Sequence, residues 1–160
     1  MSNKILISLT LLFAAFFVSC KTNSESVKQE ILDWQLSVKK TPCFGECPVY
    51  KIVINGSGDA NLEVVKFMKL REGAYASNID EARLTKLNEL LTKVSKKSYD
   101  DTYDSGFSDF PWTELSITTQ EGDVLNVRFQ NNTAPKELEE IGEIVDSIAN
   151  ERRIWKPAAL

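Results

Sequence analysis

The stretch Thr41-Pro42-Cys43-Phe44-Gly45-Glu46-Cys47-Pro48-Val49-Tyr50 constrains this chain more than any other, because it sets two closely spaced cysteines between two alternating runs. Before it, Leu32, Trp34, Leu36 and Val38 alternate with Asp33, Gln35, Ser37 and Lys39; after it, Tyr50, Ile52 and Ile54 alternate with Lys51, Val53 and Asn55. A period of two predicts strands with one buried face. Fully extended, Cys43 and Cys47 lie roughly 13 Å apart, too far to bridge. A disulfide therefore needs the chain to turn at Phe44-Gly45-Glu46, with Gly45 supplying the freedom. Outside the cytoplasm a reachable thiol pair is expected to oxidise. Closing so short a loop restricts the unfolded chain by only about 2 kcal/mol, so its main effect is on local shape. A redox-active dithiol is the alternative. Three residues separate the cysteines instead of two, no helix start follows them, and Glu46 opposes a thiolate that Lys39 and Lys40 favour.

The rest of the chain supplies the partners for these strands. Asn55-Gly56-Ser57-Gly58-Asp59 predicts a hairpin turn, a third strand follows over residues 62–68, and residues 73–79 form a short fourth. Asn78 with Glu81 approximates a capping box, and Ala82, Leu84, Leu87, Leu91 and Val94 form the apolar stripe of a first helix. Residues 98–112 are irregular and polar. Leu115, Ile117 and Thr119 then pair with Leu125, Val127 and Phe129 across Gln120-Glu121-Gly122-Asp123. A second helix starts near Thr133 and Pro135, with Leu138, Ile141, Val145 and Ile148 as its stripe. Gly142 on that helix costs about 1 kcal/mol against alanine, which suggests close backbone approach. Arg152 to Pro157 offers one more sheet contact. The expected fold is α+β: a mainly antiparallel sheet of about five to six strands with two helices packed on one face. The order is strands, helix, strand hairpin, helix.

The first nineteen residues read differently. Lys4 precedes an apolar run from Ile5 to Val18, too short to span a bilayer, which takes about 20 residues. A single positive charge, such a run and a small residue before a cysteine make a secretory signal. Phe17-Val18-Ser19-Cys20 resembles the lipobox of bacterial lipoproteins, although Phe17 stands where leucine is usual. The resemblance implies cleavage before Cys20 and acylation of that residue. It places the protein at the bacterial cell envelope, on the outer membrane in preference to the inner, facing the periplasm or the cell surface. More than one acyl chain gives stable anchoring where one alone is marginal. The expected organisation is a signal peptide over 1–19, a lipidated cysteine and tether over 20–30, one α+β domain over 31–155 and a tail over 156–160.

Charge and composition exclude more than they assign. Lysine plus arginine number 19 against 23 acidic residues; loss of Lys4 with the signal leaves 18 against 23, or −5. An acidic domain whose longest basic runs are pairs such as Lys96-Lys97 has no footprint for nucleic acid. There is no histidine, so the commonest general base and the commonest metal ligand are both missing. Zinc is disfavoured for the same reason, and no cofactor is implied. Asp100-Asp101-Thr102-Tyr103-Asp104-Ser105-Gly106-Phe107-Ser108-Asp109 sets four carboxylates around a glycine. Counted from Asp101, Gly106 takes the sixth position of an EF-hand loop, but Tyr103 and Ser105 hold the third and fifth. Trp112 stands where a bidentate glutamate belongs. A solvated loop is the favoured reading, with Asp101, Asp104 and Asp109 as the candidates for a calcium site of another kind. Phe107, Phe110 and Trp112 form either a satellite cluster or a binding patch.

Taken with the lipobox, the Thr-Pro-Cys-x-Gly-x-Cys-Pro-x-Tyr signature at Thr41 to Tyr50 resembles that of a bacterial lipoprotein family whose domain has no assigned function. The similarity extends from about Leu32 through Tyr103 and Asp109-Phe110-Pro111 to the helix begun by Pro135. It implies no activity or ligand. The expected function is non-enzymatic: a lipid-anchored envelope domain that binds a protein or another envelope component through its polar sheet face or residues 98–112. The alternatives are a thiol–disulfide protein using Cys43 and Cys47, and a calcium-dependent binding or inhibitor module.

Overall fold

The computed structural model describes residues 33–119 and 122–158. The expected signal peptide, Cys20 and Leu32 lie outside the described residues. Eight strands and two helices follow in the order β1 (Trp34–Lys40), β2 (Val49–Asn55), β3 (Asp59–Lys66), β4 (Gly73–Asn78), α1 (Glu81–Val94), β5 (Thr102–Tyr103), β6 (Thr113–Thr119), β7 (Gly122–Phe129), α2 (Lys136–Ala149) and β8 (Lys156–Pro157). All eight strands join one sheet in the order β5-β7-β6-β1-β2-β3-β4-β8.

This corrects the expected α+β fold with a mainly antiparallel sheet of about five to six strands. Among the described residues the fold is strand-rich, 37% strand against 23% helix, and the sheet is mixed. The reason lies at the edges. β5 and β8 have two residues each, too few to carry a period-two signal, and they become strands only by pairing with β7 and β4. β5 runs parallel to β7, because α1 carries the chain from the β4 side of the sheet back to its opposite edge. Lys156 and Pro157 thus belong to the sheet.

Register explains why one face is buried. Leu36 lies opposite Ile54 on one side and Ile117 on the other, and Val38 lies between Ile52 and Leu115. Leu62 continues the row from Ile52. These residues share one core with Leu87, Leu90, Leu91 and Val94 of α1 and Leu138, Ile141, Val145 and Ile148 of α2. Each such side chain contributes about 1.5–3 kcal/mol relative to exposure. The alternate positions, among them Gln35, Lys39, Lys51 and Arg128, stay exposed.

Local signals are redistributed by this packing. The N-cap of α1 is Asp80, whose carboxylate accepts from the Arg83 N–H at 3.1 Å; Asn78 ends β4 instead. Asn78 is held there by pairing with Asp59 and donates its side-chain amide to the Asp59 carboxylate. Ala82 is exposed and Leu90 is buried in the stripe of α1. In the β2–β3 turn, Gly58 has φ +89°, and a Cβ there would lie 3.2 Å from the Ile79 carbonyl oxygen. Glycine is required at that point. At Gly142 the expected close backbone approach is absent: a Cβ would meet the Phe129 ring at 3.5 Å, an ordinary contact.

Candidate functional site

Antiparallel register brings three connections to one end of the sheet. Lys40 lies opposite both Tyr50 and Thr113, so the β1–β2 loop and the segment leading into β6 emerge together. Val49 lies opposite Lys66, which adds the β3–β4 connection to the same end. Asp33 and Trp34, where β1 begins, lie at the opposite end beside the β2–β3 turn, where the Gly56 N–H donates to the Trp34 carbonyl.

The β1–β2 loop is closed by a disulfide between Cys43 and Cys47, whose Cα atoms lie 5.8 Å apart. It is laced to the β5–β6 segment. The Thr41 N–H donates to the Trp112 carbonyl at 3.0 Å, the Trp112 N–H returns to the Thr41 hydroxyl at 2.9 Å, and the Phe44 N–H reaches the Asp109 carbonyl at 3.2 Å. With both ends so fixed, Phe44 projects from the tip at 91% of full exposure. Phe107 is 61% exposed and Phe110 47%, with ring centroids 5.3 Å apart.

Gln130, fully buried at the end of β7, holds the β5–β6 segment from beneath. Its amide oxygen accepts from the Ser105 N–H and hydroxyl, and its amide nitrogen donates to the carbonyls of Phe107 and Phe110 at 2.9 and 3.3 Å. One side chain thereby replaces the ladder bonds that an irregular segment lacks. Nothing in the local pattern of the sequence marks Gln130, since its partners lie 20 to 25 residues away.

Below this end lies a polar cluster at the margin of the core. Lys40, 9% exposed, takes an inward position on β1. Its ammonium meets the Asp146 carboxylate at 3.0 Å and the Thr113 hydroxyl at 2.8 Å. The Tyr50 hydroxyl donates to the other Asp146 oxygen. Burial raises the Tyr50 pKa well above the usual phenol value, and the Asp146 carboxylate raises it further. Tyr50 is thus held protonated as a donor. The tyrosine of the cysteine signature serves to lock α2 onto the sheet.

A family model for a domain of unknown function, DUF6438, matches residues 34–149. The chain belongs to this family. The match begins with the first residue of β1 and ends with the last of α2, so the DUF6438 region takes in the whole sheet except β8. Comparison with curated proteins finds no match.

Within the DUF6438 domain, the residues singled out from sequence fall in separate places. Cys43 and Cys47 meet; Cys20 lies outside the described residues. Among the described residues, no three His, Cys, Asp or Glu side chains gather as metal ligands. Asp104 caps its own turn by accepting from the Gly106 N–H at 2.7 Å. Asp109 accepts from Ser108. Asp101 lines an open groove of about 500 Å³ on the polar sheet face, together with Lys39, Lys51, Glu114 and Arg128. There Lys39 pairs with Glu114 at 2.9 Å. Arg128 stacks 4.7 Å over the Trp112 ring and donates to the Thr102 hydroxyl at 3.2 Å. Trp112 therefore serves the sheet face, whereas Phe44, Phe107 and Phe110 face solvent at its end.

Proposed function

We propose that this chain is a non-enzymatic binding protein of the cell envelope, held at a membrane by acylated Cys20, with the loop end of its sheet as the contact surface. The observation that carries the reading is Phe44, 91% exposed at the tip of a covalently closed loop. A large apolar side chain on a backbone already closed by a disulfide costs little backbone freedom on binding, which is how aromatic anchors contribute at interfaces. Phe107 and Phe110 widen the apolar area, and Gln130 holds the segment that bears them. Among the described residues no helix is long and apolar enough to cross a membrane.

Two measurements test the reading in cells that produce the full chain. Cys20→Ala is expected to release the protein from membranes; retention there overturns the lipid anchor. A photo-crosslinking amino acid at position 44 or 107 is expected to give saturable adducts that the same group at Lys93 on α1 does not. Absence of adducts at positions 44 and 107 overturns the contact surface.

A further inference from the structure

We propose that the loop end is self-complementary in charge and docks head to head on a second copy of this chain. The inference rests on the reading of that end as a binding surface and names its partner. Three connections share that end, and strand order fixes their sequence across it: residues 104–112 lead into β6, the disulfide loop joins β1 and β2, and residues 66–72 join β3 and β4. The first carries Asp104 and Asp109 and the second Glu46, with no lysine or arginine in either. The third carries Lys66, Lys69 and Arg71, followed by Glu72. Each presents exposed phenylalanine: Phe107 and Phe110 on the acidic side, Phe44 in the middle, and Phe67, 47% exposed, on the basic side. Phe67 also has φ +59°, a left-handed conformation that is rare for a bulky residue. The Lys66 ammonium lies 5.2 Å from its ring centroid.

A two-fold axis through the middle of this end and normal to the sheet brings Phe44 of one copy to Phe44 of the next. It also sets the acidic side of each copy against the basic side of the other, as a closed isologous interface requires. An anionic lipid surface complements only the residues 66–72, and Asp104, Asp109 and Glu46 repel it. A cationic peptide complements only the opposite side. A second copy complements both at once, and the apolar residues lie along the whole row.

The test uses the full chain in cells, with the photo-crosslinking group at position 44. The expected adduct has twice the mass of the chain. Asp104→Lys with Asp109→Lys turns the acidic side basic, and Lys66→Glu with Lys69→Glu turns the basic side acidic. Each double variant alone is expected to lose the dimeric adduct by at least about tenfold, since the axis applies every reversal twice. Differently tagged and produced together, the two are expected to restore a mixed adduct, which also shows that both fold. A dimeric adduct that survives in either variant alone, or fails to return in the mixture, overturns the proposal. An adduct with a different protein in place of the dimer overturns it while leaving the binding surface standing; no adduct at position 44 or 107 removes both.

Discussion

Two side chains do work that their own positions in the sequence do not announce. Gln130 satisfies backbone groups of Ser105, Phe107 and Phe110, and its loss leaves donors and acceptors without partners. Gln130→Ala is expected to cost about 1–3 kcal/mol. Hydrogen exchange read by mass spectrometry should show lost protection at residues 104–112 before the core strands respond. Asp146 joins Lys40 to Tyr50. Tyr50→Phe leaves the ion pair in place and should cost about 1 kcal/mol in urea unfolding. Asp146→Ala strands the Lys40 ammonium and should cost about 2–3 kcal/mol, below the figure for a fully buried pair because the Asp146 side chain is 39% exposed. Equal losses in the two variants would contradict this hierarchy.

Between elements, the two helices are joined by ion pairs as well as by their apolar stripes. Arg83 meets Glu151 near the start of α1, and Lys97 meets Glu137 just beyond its end, so the helices run antiparallel. The Lys97 ammonium, with further help from backbone and the Tyr99 hydroxyl, lowers the Glu137 pKa from 4.5 to about 2. An unfolded chain then binds more protons between those values, so stability rises with pH across that window. The contribution is complete above about pH 4.5 and lost as pH falls toward 2. Glu137→Gln should flatten the acid limb of a Tm against pH curve over that range and change little of its shape near neutrality. On α2, Gly142 tolerates a methyl group at ordinary distance from Phe129. Gly142→Ala is expected to stabilise by up to about 1 kcal/mol through helix propensity; a loss measured by urea denaturation would reveal packing tighter than the 3.5 Å contact.

For the molecule as a whole, the family match ends at Ala149 but the fold does not. Trp155 is 6% exposed, donates its indole N–H to the Ile148 carbonyl at 3.1 Å, and belongs to the core. Beyond it, β8 pairs with Tyr75 and Ala76 of β4. Trp155→Ala should therefore cost about 3–5 kcal/mol. A chain ending after Ala149 should show a lower Tm than one ending at Ala158, and equal melting would reduce residues 150–158 to a dispensable appendage. Most of the elements were legible from periodicity: the rows Leu36–Val38 and Ile52–Ile54, and the stripe Leu138, Ile141, Val145 and Ile148. The sheet's extent was not, because β5 and β8 are strands only by virtue of what they lie beside.

The cysteine stretch shows where the division falls. Its prolines, its flanking alternation and its spacing specify a turn between two strands, because those properties act over a few residues. That Phe44 stands out in water, that Tyr50 reaches a carboxylate 96 residues away, and that acidic and basic connections share one end follow from topology. Sequence periodicity records which face of an element is buried; only the assembled sheet decides which distant residues meet there.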